Sequence, residues 1–349
     1  MRNRLSGGMW EDPESKLRKT LISAAMCLLL LAGYTACIYA ETEKYADTDF
    51  VMDTTVMTTL YTSGDDVGPE LVERIRAEEE NILSWTIEGS ELYEVNHHSE
   101  ETMTISEELA GYLARTFAVA EDSDGALDPT MGEVIRLWDI GGEDPHVPEK
   151  EALAEAMAHR GLSKVSLDGR SLTLPEESTL DLGSVGKGIA CDLAGDFFRT
   201  KPEISGALVS MGTSSVMTYG TKPDGTSWNV AVRDPEGNID DYIGIVALAG
   251  EEYLSTSGDY EKFFEEDGIR YHHILDPATG YPCDSGLSSV TVVCGDGLEA
   301  DALSTACMVL GAEQGTKLLE KYGADGLFLD HEGSIMMTEG MKNRFTERK

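Results

Sequence analysis

"KVSLDGRSLTL", Lys164 to Leu174, is two short runs of alternating apolar and polar residues broken by Asp168-Gly169. An Asp-Gly pair between such runs signals a hairpin, because the turn that suits strand twist needs residues tolerating positive φ. A hairpin is antiparallel by construction. A second one is predicted in "GLFLDHEGSIMMT", Gly326 to Thr338, and β-branched strands in "FVMDTTVMTTLYT" (Phe50 to Thr62), "GALVSM" (Gly206 to Met211), "SWNVAVRD" (Ser227 to Asp234), "DYIGIVAL" (Asp241 to Leu248) and "LSSVTVVC" (Leu287 to Cys294). Between them lie helical spacings. "PELVERIRAEEENILSW" repeats apolar residues at Leu71, Val72, Ile75, Ile82 and Leu83, and "EKEALAEAMAHRG" ends at Gly161 as a C-terminal cap. Thr104 with Glu107 reads as a capping box ahead of Leu109, Leu113 and Phe117. The tail is expected to hold two helices before its hairpin. Helices and strands alternate without strict βαβ order, so the expected class is α+β, a mixed, mainly antiparallel sheet packed with helices.

The chain has 349 residues, 41% hydrophobic, enough for a substantial core, and a formal net charge of −37. Such a charge repels nucleic-acid phosphates and excludes that class of partner. An anionic ligand must be held locally, by backbone N–H groups, a lysine or a metal. The N-terminus differs. Arg2, Arg4, Lys16, Arg18 and Lys19 precede the uncharged "LISAAMCLLLLAGYTACIYA", Leu21 to Ala40. Residues 1–20 read as a basic cytoplasmic flank and 21–40 as a signal peptide or membrane anchor, with Cys37 in a loose lipoprotein processing site. The expected location is the cell membrane, with the domain extracytoplasmic. Residues 41–49 read as a polar tether, and 50–345 as a single catalytic domain. Cys191, Cys283, Cys294 and Cys307 show no metal or redox spacing, so disulfides are not the main staple.

Three stretches carry the chemistry. "LDLGSVGKGIACD", Leu180 to Asp192, is glycine-rich, with a strand expected to end at Leu182 and a helix to begin near Ile189. It fails the Walker A spacing, yet exposed N–H groups and Lys187 at a helix N-terminus suit a phosphate. A plain strand-to-helix turn is the competing reading. "ADALSTACMVLG", Ala300 to Gly311, puts Asp301 and Thr305 four apart on one helix face, hard oxygen donors suited to Mg2+ or Ca2+. An N-terminal Asp that merely favours the helix dipole is the alternative. "YHHILDPATGYP", Tyr271 to Pro282, sends His272 and His273 to opposite faces of a strand, so that one of them can serve as a general base. "LSTSGDYEKFF", Leu254 to Phe264, adds a corner of hydrogen-bond donors.

In order and interval, these blocks make the chain resemble the ApbE family, the FAD:protein FMN transferases. Met52-Asp53-Thr54 stands for the family's Met-Gly-Thr, and Leu83-Ser84-Trp85, Ser90-Glu91-Leu92 and Asn96 follow its next block. "GALDPTMGEVIRLW", Gly125 to Trp138, carries Leu127 where an aromatic is common. The remaining blocks are the three stretches above with "STSGDYEKFF", so the resemblance runs from Phe50 to Leu310. Asp53 departs from the usual glycine, and Gly212-Thr213 from Gly-Gly. The resemblance implies that Met52, Trp85, Ala126, Leu127, Asp128, Asp181, Lys187 and His273 contact FAD. It assigns Ser184, Asp301 and Thr305 to Mg2+, and His273 to the catalytic base. It implies transfer of FMN to a Ser or Thr hydroxyl of an acceptor flavoprotein, with release of AMP. Expected acceptors are exported subunits of Rnf- or Nqr-type complexes or other secreted flavoproteins. A Mg2+-dependent FAD pyrophosphatase and a non-catalytic flavin-binding lipoprotein are the alternatives.

Overall fold

The computed structural model describes residues 42–97, 102–238 and 240–348. The basic flank, the apolar run and Cys37 lie outside the described residues. In chain order the elements begin with β1 (Glu43–Val51), β2 (Thr54–Thr62), α1 (Gly68–Glu78), α2 (Glu91–Asn96), β3 (Thr102–Thr104) and α3 (Glu107–Asp122). Next come α4 (Gly132–Trp138), α5 (Lys150–His159), β4 (Ser166–Asp168), β5 (Ser171–Thr173), α6 (Gly186–Arg199), β6 (Ile204–Met211) and β7 (Ser215–Gly220). Strands β8 (Trp228–Arg233), β9 (Tyr242–Leu248), β10 (Glu252–Gly258), β11 (Phe263–Glu266), β12 (Ile269–His272) and β13 (Leu287–Cys294) follow. The chain closes with α7 (Gly297–Tyr322), β14 (Asp325–Asp330), β15 (Ile335–Met337), α8 (Glu339–Lys342) and β16 (Phe345–Glu347).

The α+β expectation holds. Eight strands form one sheet in the order β1-β2-β6-β7-β10-β13-β14-β15, with every neighbouring pair antiparallel. Alternation along its central strands divides two cores. Met217, Tyr253, Val290 and Val292 face the side packed by α1, α3, α6 and α7. Val216, Leu254 and Val293 face Trp228, Val232, Val246 and Leu248 of the small β16-β9-β8 sheet. With both faces covered, all of β13 is buried, its Ser288, Ser289 and Thr291 included. A third cluster joins α4 and α5 to the β11–β12 hairpin through Trp138, whose indole N–H donates to the Gly280 carbonyl at 2.7 Å. The hairpin forms as expected, but its turn lies one residue on, at Gly169-Arg170 between paired Asp168 and Ser171, with Gly169 at φ +58°.

Five local readings are adjusted by the structure. Residues 43–49 are not a tether but most of β1, paired to β2 along its whole length. It escaped notice because an edge strand exposed on both faces has no apolar alternation to read; only its last residue, Val51, is buried. Helix α3 is capped by Ser106, which accepts from the Leu109 N–H at 3.0 Å, and not by Thr104. Glu91 of α2 takes the Ser106 N–H, a role a capping box gives to its own third helical residue. The stretch before α6 forms only an isolated bridge between Met131 and Thr179, and the helix opens at Gly186, a turn earlier than Ile189. Strand β12 ends at His272, so His273 lies just past it. The two helices expected in the tail are two segments of α7, separated where Gly311 turns to φ +77° and ψ 172°.

Candidate active site

The glycines of "GSVGKGIACD" serve helix packing first. A Cβ on Gly188 would lie 2.2 Å from the Gly297 carbonyl oxygen, and one on Gly297 would lie 2.4 Å from the Gly188 oxygen. The N-terminal turns of α6 and α7 therefore meet backbone to backbone. Asp192 of α6 locks the crossing by accepting the Gly297 N–H at 2.6 Å and the Leu298 N–H at 3.2 Å, which caps the orphan donors of α7. Arg115 of α3 pairs with Asp192 at 2.8 Å and also with Asp296, the side-chain cap of α7. This contact brings Asp301 to the mouth of α6, where its Oδ2 accepts the Gly188 N–H at 2.9 Å.

Asp301 is 5% exposed, and burial raises its carboxyl while the nearby Lys187 ammonium lowers it. Its Oδ1 accepts from the Ser215 hydroxyl at 3.2 Å, and Ser215 in turn accepts from Ser255 at 3.0 Å. One helical turn on, Thr305 lies 3.3 Å from the Ser257 hydroxyl, which also meets Ser304 at 2.8 Å. Ser184 sits in the turn closed by the Val185 N–H on the Leu182 carbonyl, just ahead of α6. Among the described residues no three His, Cys, Asp or Glu side chains gather as metal ligands. One carboxylate among hydroxyls still fits Mg2+, which keeps waters and takes its remaining oxygens from substrate phosphates. The Asp301 carboxylate is held by the Gly188 N–H and the Ser215 hydroxyl, with the Ser255 hydroxyl also bonding to it.

His273 and Lys187 complete this neighbourhood. The His273 ring Nδ1 lies 3.3 Å from the Lys262 carbonyl, which can only accept, so the neutral ring carries its lone pair on Nε2. Burial pushes His273 down to about 3, and the charges of Lys187 and Lys262 push the same way. His272, by contrast, is committed to the fold: its Nε2 donates to the Cys283 carbonyl at 3.0 Å and its Nδ1 accepts the Ile274 N–H at 3.3 Å. Glu261 belongs with this group although the sequence did not single it out. It accepts from Thr213 at 3.3 Å, and burial raises its carboxyl against the lowering pull of Lys187.

The remaining expected contacts frame the same region from the other side. Met52 and Asp53 form the two-residue β1–β2 turn, at φ +54° and +52°, and the Met52 N–H donates to Glu79 at 2.9 Å. The Met52 methyl would stand 3.2 Å from a Cβ on Gly186, so the turn rests on the start of α6. Asp181 accepts the Gly183 N–H at 2.8 Å; burial raises it, opposed by Arg136 and Lys262. Arg136 also lies over Trp85, 5.9 Å from the ring centre. Ala126 and Leu127 have buried side chains, which leaves their backbone as the part able to meet a ligand. The Asp128 carboxylate is already taken by the Thr130 N–H (2.9 Å), the Thr130 hydroxyl (2.6 Å) and Arg160 (3.1 Å). It holds the turn that carries Pro129, whose carbonyl accepts the Asp181 N–H at 2.8 Å.

Comparison with known proteins covers the span that holds these residues. The ApbE family model matches residues 52–328. An FAD:protein FMN transferase of Treponema pallidum is 31% identical over 346 residues, covering 93% of this chain and 94% of the relative. The crystal structure of the ApbE protein of Thermotoga maritima superposes with a TM-score of 0.77 at 33% identity, over 88% of this chain and 100% of that one. The apo flavinyl transferase ApbE of Pseudomonas stutzeri gives a TM-score of 0.75 at 30% identity, over 88% and 98%.

Proposed function

The chain belongs to the ApbE family, and on that premise we propose that it is an FAD:protein FMN transferase, moving FMN from FAD to a hydroxyl of an acceptor flavoprotein and releasing AMP. The observation that carries the reading is the start of α6, where Gly188 binds buried Asp301 while Lys187 and His273 share the same space. A pyrophosphate resists nucleophiles until its charge is neutralised. Lys187 and the free N–H groups at the α6 N-terminus supply fixed positive charge for it. Asp301, Thr305 and Ser184 would hold Mg2+, which supplies Lewis-acid neutralisation of the phosphate oxygens when bound.

His273 acts as the base. Its Nε2 takes the proton of a Ser or Thr hydroxyl as that oxygen bonds to the phosphorus on the riboflavin side. The bond from that phosphorus to the bridging oxygen breaks, AMP leaves with that oxygen, and FMN stays on the acceptor as a phosphoester. His273 is neutral at working pH because the site disfavours its cation. A bound pyrophosphate brings negative charge and moves its basicity back toward the useful range. We assign the rest of the dinucleotide to the turn of Met52, which rests on the start of α6, and to Trp85 under Arg136. On the sequence of residues 21–40 we place the domain outside the cytoplasm, held at the membrane, where Rnf- or Nqr-type subunits would be acceptors.

The test is to incubate the protein with FAD, Mg2+ and a purified acceptor subunit and to weigh the acceptor. A gain of one FMN, lost when Asp301 is replaced by Ala, is expected. Free FMN and AMP beside an unmodified acceptor would establish the pyrophosphatase instead.

A further inference from the structure

Strand β10 runs past α7 with Ser255 and Ser257 two residues apart, so both side chains leave the same face of the strand. The two lead to different oxygens of α7. Ser255 donates to Ser215 at 3.0 Å, and Ser215 donates to Asp301 Oδ1 at 3.2 Å. Ser257 lies 2.8 Å from the Ser304 hydroxyl and 3.3 Å from that of Thr305. Ser215 and Ser255 are each 1% exposed, Ser257 is 9% exposed, and Ser304 is fully buried. Bulk water is not their partner. Hydroxyls placed in a core are costly unless each bond is made; Ser215, Ser255 and Ser257 lead to the two side chains assigned to the cation, while Ser304 donates to the Asp301 backbone carbonyl at 2.9 Å. The intervening Thr256 points the other way, its hydroxyl 2.9 Å from that of Thr291 on β13.

We infer that Ser215 and Ser255, acting on Asp301, and Ser257, acting on Thr305, are positioning residues for the divalent cation: they fix the rotamers of the two side chains assigned to it. The inference rests on the metal reading given above. Its logic is that of a ligand held by outer partners. A carboxylate free to rotate would lose orientation entropy on every binding event, whereas one clamped between the Gly188 N–H and the Ser215 hydroxyl has already done so. Thr305, with a rotatable hydroxyl, gains a fixed direction from Ser257.

Ser215→Ala, Ser257→Ala and Thr256→Ala, each in the full chain, provide the test, with Mn2+ as a paramagnetic probe titrated by electron spin resonance of the free ion. Ser215→Ala and Ser257→Ala should weaken Mn2+ binding by about 10-fold or more, the range seen for outer partners of metal ligands. The Mg2+ concentration for half-maximal turnover should rise in step, with the rate at saturating Mg2+ better preserved. Thr256→Ala removes a hydroxyl as buried as that of Ser257 from the same strand β10 and should leave Mn2+ binding unchanged, even where its melting temperature falls. Unchanged Mn2+ affinity in Ser215→Ala and Ser257→Ala overturns the inference while leaving the metal site standing. So does an equal loss in Thr256→Ala, which would mean that strand β10 matters only as scaffold. Failure of the unaltered protein to bind Mn2+ overturns the metal reading itself, and this assignment with it.

Discussion

His272 and His273 are adjacent in sequence and differ in what their rings touch. Both nitrogens of His272 are spent on backbone groups, so His272→Ala leaves a buried carbonyl and N–H unpaired and should cost about 1–3 kcal/mol of stability. It should leave the transfer rate per folded molecule nearly unchanged. His273→Ala should slow transfer by about 10²–10⁴-fold while FAD still binds. Rates and urea unfolding of both variants separate the two roles, and the reverse pattern would move the base to His272. The sign of the pH effect follows from the lowered value. Between about 3 and the ordinary 6.5 the folded protein binds fewer protons at His273 than the unfolded chain does, so stability rises with pH across that window and is lost as pH falls. His273→Ala should flatten that slope by at most a single proton's worth, measured by urea unfolding from about pH 7 to about pH 5. Lys187 is assigned to the ligand's charge. Lys187→Ala should weaken FAD by about 1.5–3 kcal/mol and riboflavin far less, because one charge-assisted contact to pyrophosphate is lost. Equal losses for the two ligands in a fluorescence titration would leave Lys187 with a structural role only.

At the scale of elements, the site is a consequence of how closely α6 and α7 cross. Gly188→Ala would drive a Cβ into the Gly297 carbonyl at 2.2 Å and the Asp301 Cβ at 2.8 Å, neither of which can swing away. The helices must part, and the variant should lose at least about 2–3 kcal/mol together with its cation affinity. Gly111→Ala is the opposite case. It lies on an exposed position inside α3, has nothing within 4 Å of the added Cβ, and should gain about 0.5–1 kcal/mol. Denaturant unfolding of the pair checks both signs at once. The crossing also shows what could be read without a structure. Asp301 and Thr305 were legible because helical period alone puts them on one face. Gly188 was legible as a special position but its packing role was not, since a glycine in a sequence does not reveal which backbone will approach it. Ser215 and Glu261 were not legible as site members, because hydrogen bonds spanning 86 and 48 residues leave no local pattern. Ser106 lost to Thr104 for the same reason, its capping partner being Glu91 on another helix.

For the molecule as a whole, the decisive feature is that its largest sheet carries the site on one side and ends at β1. The boundary read from composition fell at Phe50, because the residues before it are polar and mostly exposed. Pairing decides otherwise: Glu43 to Val51 form a full ladder with β2, and Tyr45 packs on the main core. The Met52-Asp53 turn is held between those two strands and rests on the start of α6. A chain that starts at Glu43 should therefore melt close to the temperature of the full chain and bind FAD with the same affinity. One that starts at Phe50 keeps every residue assigned to the site but exposes the open edge of β2, with Thr54 to Thr62 offering unpaired N–H and C=O groups. It should melt several degrees lower, on the order of 4 °C per lost kcal/mol for a domain of this kind or somewhat less. It should also associate at concentrations where the longer chain is monodisperse and bind FAD more weakly, because the Met52 turn has lost its first strand. Melting curves, light scattering and FAD titration on the two chains decide it. Identical behaviour would return residues 43–49 to the role of a tether and make β1 dispensable to the site.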